Sequence, residues 1–207
     1  MVRISKPPQE RRKEIVLMSR KLFDEKGFQN TAIDDITNSL NIAKGTFYYY
    51  FKSKDDVLDA VVDSMIEKDV ASIQEIADSK EIKSTEKLRL IRKILSDRYR
   101  EHYGFLEHSE IITNMEIRLR WLMGSFESKT PLITAIMEEG VERGEFKTDH
   151  PKEMAELALV SVLFLLDPTL FPTPKENYVK RLENFEEVLE KSLGLEKGEL
   201  HFISGEL

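Results

Sequence analysis

Apolar residues recur at helical spacing along nearly the whole chain. Ile15, Met18 and Leu22 lie at positions i, i+3 and i+7, which predicts a first helix that ends at Gly27. Alternation with a period of two, which is typical of strands, is scarce. The pattern therefore predicts an all-α fold.

Sequences typical of helix N-termini divide the region that follows. Thr31-Ala32-Ile33-Asp34 predicts a capping box with Thr31 as the N-cap, and Ser53-Lys54-Asp55-Asp56 predicts a second box. Between them, a break over residues 40–43 separates a second helix from a short third helix over about 44–51. The second box opens a fourth helix, which we expect to continue to about residue 77.

The rest of the chain predicts further helices. We expect a fifth over residues 85–103, two or three within 105–144 with breaks near 124–131 and at Gly144, and another over 151–166. Thr173-Pro174-Lys175-Glu176 predicts the start of a last helix, with Pro174 as its first residue, which ends at Gly194. The final thirteen residues carry no strong pattern.

Charge is distributed unevenly along the chain. The net charge is −7, but residues 1–54 hold eleven Lys/Arg and six Asp/Glu, a net of +5. The remaining residues hold 20 and 32, a net of −12. A basic N-terminal part on an acidic body is the asymmetry expected when only that part meets phosphate groups.

Composition excludes several classes of protein. The chain contains no cysteine, which excludes disulfides and thiolate metal sites. Its longest apolar stretch, over residues 157–166, falls short of the roughly 20 residues that span a bilayer. We therefore expect a soluble, cytoplasmic protein with no membrane partner, no metal and no other cofactor.

The second and third helices meet the requirements of a helix-turn-helix motif, in which the second helix of the pair enters the major groove of DNA. The inner faces must be apolar, and six positions supply this: Ile33, Ile36, Leu40, Ile42, Phe47 and Phe51. The outer face must offer hydrogen-bond donors and small groups, for which the candidates are Lys44, Gly45, Thr46, Tyr48 and Tyr49. Helix N-termini favour anions, and Thr31 and Ser53 each open a helix, with Lys54 beside the latter.

Two features of the third helix favour contact with another molecule. Glycine inside a helix costs about 1 kcal/mol relative to alanine, so Gly45 indicates a close approach of the backbone to another surface, although a frayed first turn is the alternative. Tyr48, Tyr49 and Tyr50 span about 200° of the helix, so at least one of them must be exposed. An exposed phenol suits a phosphate oxygen or a thymine methyl.

Residues 14–61 closely resemble the N-terminal domain of the TetR/AcrR (tetracycline-repressor-like) family. The landmarks are Leu22-Phe23, Gly27-Phe28, Thr31, Asp35-Ile36, Lys44-Gly45-Thr46, Tyr48-Tyr49, Phe51, Lys52-Ser53-Lys54 and Leu58. The resemblance implies a three-helix DNA-binding domain over residues 1–54, joined through helix 54–77 to a helical ligand-sensing and dimerisation domain over 55–207. Carried over by position, the DNA contacts fall on Thr31, Lys44, Gly45, Thr46, Tyr48, Tyr49, Tyr50 and Lys54.

The chain departs from the family pattern at two positions. Tyr50 stands where the family usually has histidine, which removes a pH-sensitive charge. Ala43 stands where serine is frequent, and the loss of that N-cap costs about 1 kcal/mol. We therefore expect the third helix to order fully only on DNA.

The resemblance also implies a homodimer built from the last two long helices. The nearly all-apolar stretch over residues 157–166 and the apolar stripe of the last helix fit a four-helix interface. The expected interface residues are Leu159, Val162, Leu163, Leu166, Tyr178, Leu182, Phe185 and Leu189. The alternative is that this surface is buried within one subunit. A twofold dimer predicts a roughly palindromic, double-stranded operator.

Large, adaptable side chains in the middle region predict an apolar pocket for a small-molecule effector. The candidates are Tyr99, Tyr103, Phe105, Met115, Trp121, Phe126 and Met137. The same residues also fit an ordinary helical core. A hydrophobic or amphipathic effector would act by a population shift, with the fourth helix linking the pocket to the DNA-binding domain, and repression is what the family implies.

Two other function classes compete with this one. An enzyme is disfavoured because the chain has no Gly-rich phosphate loop, no nucleophile elbow and no histidine pair with metal-ligand spacing, so no catalytic residue is assigned. A DNA-binding regulator with no small-molecule effector fits the same motif. Binding of hydrophobic compounds would separate that alternative from a ligand-responsive regulator.

Overall fold

The computed structural model describes residues 7–106, 115–167 and 170–201, and for 96–106, 116 and 175 it describes the backbone only. All regular structure in these ranges is helical, which confirms the all-α prediction. The helices are α1 Pro8–Lys26, α2 Ile33–Ser39, α3 Lys44–Tyr50, α4 Lys54–Asp78, α5 Ser84–Leu106, α6 Met115–Glu142, α7 Pro151–Val160 and α8 Lys175–Leu193. A π-helical turn, Ser161–Leu165, follows α7 directly.

The chain divides into two compact units. The N-terminal unit runs through Glu67 and includes Arg100–Trp121, and the C-terminal unit comprises Lys68–Tyr99 and the chain from Leu122 onward. The division falls inside α4, later than the domain boundary at residue 54 that we expect from the sequence. Val57 and Val61, near the start of α4, are fully buried, so this part of the helix contributes to a core as well as to a connection.

The N-terminal unit is a small apolar core enclosed by short helices. α1 packs against α2, and α2 packs against α3. Phe23 and Phe28 form an edge-to-face pair with ring centroids 5.1 Å apart, a favoured aromatic geometry. Gly27 ends α1 with φ of +83°, as the sequence predicts.

The start of α2 differs from the capping prediction by one residue. Ala32 is the N-cap, and its N–H donates to the carboxylate of Asp35 at 2.9 Å. Thr31 is 1% exposed, and its hydroxyl donates to the carbonyl of Gly27 at 2.7 Å. The prediction of Thr31 as the N-cap is therefore wrong, because its hydroxyl is used to close the end of α1.

A Schellman motif fixes the turn between α2 and α3. Asn41 has a φ of +51°, and its N–H donates to the carbonyl of Asn38 at 3.1 Å. The N–H of Ile42 donates to the carbonyl of Thr37 at 2.9 Å. These two bonds define the motif, and asparagine tolerates the left-handed conformation that it requires.

The predicted capping box at the start of α4 is confirmed in part. The N–H of Asp56 donates to the hydroxyl of Ser53 at 3.1 Å. The carboxylate of Asp56 reaches one residue further back than the motif requires and accepts the N–H of Lys52 at 2.7 Å.

The C-terminal unit contains the larger core and two buried lysines. Its buried apolar residues are Ile73, Leu88, Ile91, Ile133, Ile136, Met137, Phe146, Ala155, Leu189, Leu193 and Leu200. Lys129 donates to Asp69 at 2.9 Å, and Lys87 donates to Glu139 at 2.6 Å. Both lysine side chains are 0% exposed, so each charge depends on its partner.

The predicted break near residues 124–131 is wrong. α6 runs unbroken through Pro131, which is exposed. Proline costs roughly 3 kcal/mol inside a helix, but buried Leu122 and Ile133 lie on either side of it. Burial of α6 on both sides of the proline therefore outweighs the local penalty. The break at Gly144 is confirmed, with φ of +71°.

The last elements also refine the sequence pattern. α7 begins at Pro151 as predicted, but from Ser161 the helix has π geometry, with the N–H of Leu166 bonded to the Ser161 carbonyl at 2.8 Å. The N-cap of α8 is Pro174, so the predicted place of this proline as the first helical residue is wrong by one position. Gly194 ends α8 as predicted, with φ of +68°.

Residues beyond α8 are folded, although they carry no strong sequence pattern. The carboxylate of Glu190 accepts the N–H groups of Gly198 and Leu200, each at 2.9 Å. Leu200 is fully buried in the C-terminal core. The buried carboxylate therefore holds this segment in place.

Candidate nucleic-acid interface

Two phenylalanines anchor α3 from its inner side. Phe47 and Phe51 are 0% and 1% exposed, and their ring centroids lie 5.9 Å apart. The guanidinium of Arg12 lies 5.0 Å from the centroid of the Phe51 ring, which is a cation–π contact. Because these two anchors lie four residues apart, they fix the orientation of α3 about its own axis.

In this orientation, the polar and aromatic side of α3 faces solvent. Lys44, Gly45, Tyr48 and Tyr49, which we name the outer face of α3, are all exposed. Tyr49 is 75% exposed and Tyr48 is 51% exposed, so the prediction that at least one tyrosine of the run faces solvent is confirmed. Tyr50 is half-buried, and its ring meets that of Tyr49 edge-to-face at 4.8 Å. Thr46, also predicted to contact DNA, is half-buried.

Gly45 lies in open space. A Cβ atom built on it would meet nothing within 4 Å. Packing inside the chain therefore gives no reason for glycine at this position. The sequence predicts that a second molecule approaches the backbone closely here. Such an approach explains why a glycine, which destabilises a helix, occupies this position.

An ion pair joins α2 to the outer face of α3. The ammonium of Lys44 lies 2.7 Å from the carboxylate of Asp34, and the two side chains are 57% and 56% exposed. The hydrogen bond to this carboxylate, together with its charge, raises the pKa of Lys44 above its ordinary value. The sequence pattern assigns Asp34 no role other than capping. Asp34 and Lys44 are ten residues apart across a turn, which matches no helical spacing, so the sequence did not predict this ion pair.

The N-terminus of α3 has no side-chain cap. Ala43 occupies the N-cap position, and its carbonyl accepts the N–H of Thr46 at 2.8 Å. This confirms the missing serine cap that the sequence indicates. The helix is formed nonetheless, because Phe47 and the turn from α2 hold it.

Thr31 and Lys54, both predicted to contact DNA, make hydrogen bonds within the chain. Thr31 is buried, so a side-chain contact between Thr31 and DNA is excluded in this conformation and that prediction is wrong. The ammonium of Lys54 donates to the carbonyls of Phe28 and Gln29 at 2.6 and 3.3 Å and lies 4.3 Å from the Phe28 ring centroid. Lys54 therefore ties the start of α4 to the loop before α2. Assignment of the remaining seven residues, Lys54 included, to DNA binding stays a prediction.

One of the residues predicted to hold an effector lines a cavity in the described part of the chain. Met137 is buried and lines a cavity of about 50 Å³ in the C-terminal unit. Met115 is 63% exposed, and Trp121 and Phe126 are half-buried, but none of the three lines that cavity. The side chains of Tyr99, Tyr103 and Phe105 lie outside the described residues. The cavity wall is instead formed by Leu88, Ile91, Arg92, Leu95, Ile133, Met137, Ala158, Leu159, Val162, Phe185 and Leu189.

Five of the residues predicted for a dimer interface are buried within the single chain. They are Leu159, Leu163, Leu166, Leu182 and Leu189. For these five the alternative reading is correct, because their side chains pack inside the C-terminal unit. Val162, Tyr178 and Phe185 are half-buried.

Other apolar residues on the same elements are exposed. Leu157, Val160, Leu165 and Val188, which we name the α7–α8 apolar patch, are exposed by 62, 38, 53 and 63%. The helical periodicity therefore predicted that α7 and α8 are apolar, but it did not predict which of their apolar residues are exposed to solvent.

None of the described helices combines the length and apolar character that crossing a membrane requires. In the same part of the chain, no three acidic, histidine or cysteine side chains are grouped as metal ligands.

The outer face of α3 lies within a segment that known proteins share. Residues 15–61 match the family model described as "Bacterial regulatory proteins, tetR family". A TetR/AcrR-family transcriptional regulator from Thermobifida fusca has the same fold, with a TM-score of 0.57 and 26% identity over 85% of this chain and 96% of that one. Residues 15–61 of this chain are therefore a TetR-family DNA-binding segment. The matched segment includes α2 and α3, the two helices of the helix-turn-helix.

Other transcriptional regulators are similar to this chain over most of its length. The probable transcriptional regulator YttP of Bacillus subtilis is 27% identical over 81% of this chain and 84% of its own length. The transcriptional repressor KstR2 of Mycobacterium tuberculosis is 20% identical over 72% of this chain and 76% of its own length. RolR, solved with resorcinol, shares the fold at 18% identity, with a TM-score of 0.63 over 97% of this chain and 96% of that chain.

Two other relatives match over less than half of their own length. Two further Bacillus subtilis regulators are 28% and 31% identical to this chain over 65% and 50% of its residues. The aligned parts span 49% and 33% of those two proteins.

Proposed function

We propose that this protein is a ligand-responsive repressor that binds a roughly palindromic DNA operator as a homodimer in the cytoplasm. A small hydrophobic or amphipathic effector releases it. The observation that carries the proposal is the outer face of α3, where Lys44, Gly45, Tyr48 and Tyr49 are exposed above the buried anchors Phe47 and Phe51. A rigid helix with donors and aromatic groups on its free side is what major-groove binding requires.

Within this interface the side chains have different tasks. Lys44 and Tyr49 approach base edges or phosphates, because they combine exposure with hydrogen-bonding groups. Gly45 lets the backbone of α3 come close to the DNA. Tyr48 and Tyr50 donate phenolic hydrogen bonds to phosphates, and Thr46 contributes a hydroxyl at the edge of the surface.

Homodimerisation through the α7–α8 apolar patch fits the exposure of that patch. Four large apolar side chains on α7, its π-helical extension and α8 are exposed, and exposed apolar groups on neighbouring elements are candidates for an interaction surface. A twofold dimer presents two outer faces of α3 to two half-sites, so the operator has approximate twofold symmetry. Truncation of Leu157 and Val188 to alanine is expected to raise the dimer dissociation constant, measured by analytical ultracentrifugation.

An apolar effector fits the cavity of the C-terminal unit. Its wall is almost wholly aliphatic, with Phe185 as its aromatic member and Arg92 as its charged one. RolR, whose structure contains resorcinol, shows that this fold accepts a small aromatic molecule. The repressor role is supported by the relative KstR2, which is named as a repressor.

One observation favours a second candidate function, a regulator without an effector. The cavity of about 50 Å³ is far smaller than the roughly 300–1,000 Å³ of typical ligand sites. Effector binding therefore requires that flexible side chains such as Met137 move aside. Thermal-shift screening against hydrophobic compounds separates the two, since a ligand at about 100 times its Kd stabilises the folded state by roughly 2.7 kcal/mol.

The DNA-binding part of the proposal is tested by selection of operator duplexes from a random library, followed by affinity measurement. We expect Tyr49→Ala and Lys44→Ala each to weaken operator binding about tenfold, a loss of roughly 1.4 kcal/mol. Sedimentation should show the same dimer as the unmodified protein. Unchanged affinity in both variants contradicts the assignment of the outer face.

A further inference from the structure

The ion pair between Lys44 and Asp34 places a carboxylate beside the surface that faces DNA. Oδ1 of Asp34 lies 2.7 Å from the ammonium of Lys44, which is the first residue of α3. Both side chains are more than half exposed. A group that repels phosphate therefore lies in contact with a cation that the DNA interface uses.

Helix capping does not account for Asp34, and its place in the first turn of α2 contributes only weakly to stability through the helix dipole. The N–H of Ala32 at the start of α2 is bonded by Asp35, not by Asp34. In the part of the chain that the structure describes, the contact recorded for the Asp34 side chain is the one with Lys44. Ion pairs between exposed groups contribute little to stability, so the effect of this pair must be sought at the surface itself.

The electrostatics of DNA binding indicate what such a pair does. Non-specific affinity comes almost entirely from cations that replace counterions on phosphates. While Lys44 is paired with Asp34, one such cation is neutralised and one negative charge faces the phosphates. Binding to arbitrary DNA is weakened, whereas a complex with many base contacts can offset the cost of separating the pair.

We propose that Asp34 is a specificity-determining residue, which holds Lys44 on α2 when the protein meets non-operator DNA and releases it when α3 engages operator bases. This inference rests on the proposed function of the outer face of α3. It adds a repulsive element to the interface, which lowers binding to wrong sequences more than binding to the right one.

The test compares Asp34→Asn with two other variants on operator and scrambled duplexes of equal length. Asp34→Glu keeps the charge. Glu25→Gln removes one negative charge from another exposed pair, with Lys21 at 3.8 Å. Kd is measured over about 50–200 mM salt, the range in which phosphate contacts change affinity most visibly. Thermal unfolding verifies that each variant is folded.

We expect Asp34→Asn to bind the scrambled duplex about fivefold more tightly, the order of effect that one charge at about 4 Å has in water. The slope of log K against log salt should steepen by about 0.9, the value for one further phosphate contact. Operator affinity should rise less, so discrimination falls. Asp34→Glu should retain the discrimination of the unmodified protein, and Glu25→Gln should change little.

Two results would overturn the inference. One is an Asp34→Asn variant with unmodified affinity and salt slope on the scrambled duplex. The other is a loss of operator affinity alone, which would mean that Asp34 accepts a hydrogen bond from a base. If the unmodified protein itself fails to distinguish any selected duplex from a scrambled one, the proposed function fails as a whole.

Discussion

The most informative single substitution is Gly45→Ala, because it separates the needs of the fold from those of DNA binding. An added Cβ meets nothing within 4 Å in the protein, so the methyl group creates no internal clash. Alanine is better than glycine in a helix by up to about 1 kcal/mol. We therefore expect the free energy of unfolding to stay equal or to rise by up to about 1 kcal/mol.

DNA binding should respond in the opposite direction. If the backbone of α3 approaches DNA closely at Gly45, the methyl group forces the helix outward. Overpacking of this kind costs about 1–3 kcal/mol in proteins, which corresponds to a loss of affinity of roughly five- to 150-fold. Urea unfolding measures the first quantity, and fluorescence anisotropy with a selected operator measures the second.

A control places a similar change of size elsewhere. Ala71→Val adds two methyl groups at an exposed position of α4 in the C-terminal unit, and it should leave operator affinity unchanged. If Gly45→Ala binds the operator as tightly as the unmodified protein, α3 makes no close approach at its N-terminus. The reasoning from glycine to a DNA contact would then be refuted.

Three further predictions concern the C-terminal unit. Lys129→Met should lower the free energy of unfolding by about 3–5 kcal/mol because it removes the ammonium that pairs with buried Asp69, whereas Lys129→Met combined with Asp69→Leu should recover most of that loss in urea unfolding. The hydrogen bond from Lys87 holds the pKa of Glu139 below its ordinary 4.5, so this carboxylate stabilises the fold fully above about pH 4.5 and loses that effect as the pH falls through its lowered pKa. Glu139→Gln should accordingly flatten the acid limb of stability against pH, and an unchanged limb would contradict the pairing. Leu200→Ala should cost roughly 2–5 kcal/mol by the same unfolding measurement, as for other buried leucines, whereas an effect near zero would show that the chain beyond α8 is not packed in solution.

The N-terminal unit could be predicted from sequence because its determinants are local. Gly27 ends α1, Ser53 bonds the N–H of Asp56, and Phe47 and Phe51 lie four apart on the inner side of α3. Each depends on residues a few positions away. Family landmarks then placed the outer face of α3 without any three-dimensional information.

Other features depend on contacts between distant residues, and the sequence could not reveal them. Thr31 reads as an N-cap, but the carbonyl groups that end α1 capture its hydroxyl. Pro131 is a helix breaker by local rules, yet burial on both sides keeps α6 continuous. Lys44 and Asp34 are ten residues apart, and only the turn between α2 and α3 brings them together.

The sequence also did not show which apolar residues lie in the core and which lie on the surface. Leu159 and Leu157 lie two positions apart on α7, and one is 4% exposed whereas the other is 62% exposed. A helix that is apolar nearly all round does not indicate which side its own chain covers. The sequence therefore identified α7 and α8 as apolar helices but did not show which of their residues are buried within the chain itself.

Photo-crosslinking tests most directly whether the outer face of α3 meets DNA. A benzophenone amino acid replaces Tyr49, which is 75% exposed, and in a second protein it replaces Lys152, an exposed residue of α7. Each protein is irradiated with a labelled operator duplex. We expect covalent protein–DNA product from position 49 and none from position 152. Efficient crosslinking from position 152, with none from position 49 in a protein that still binds the duplex, would contradict the central claim.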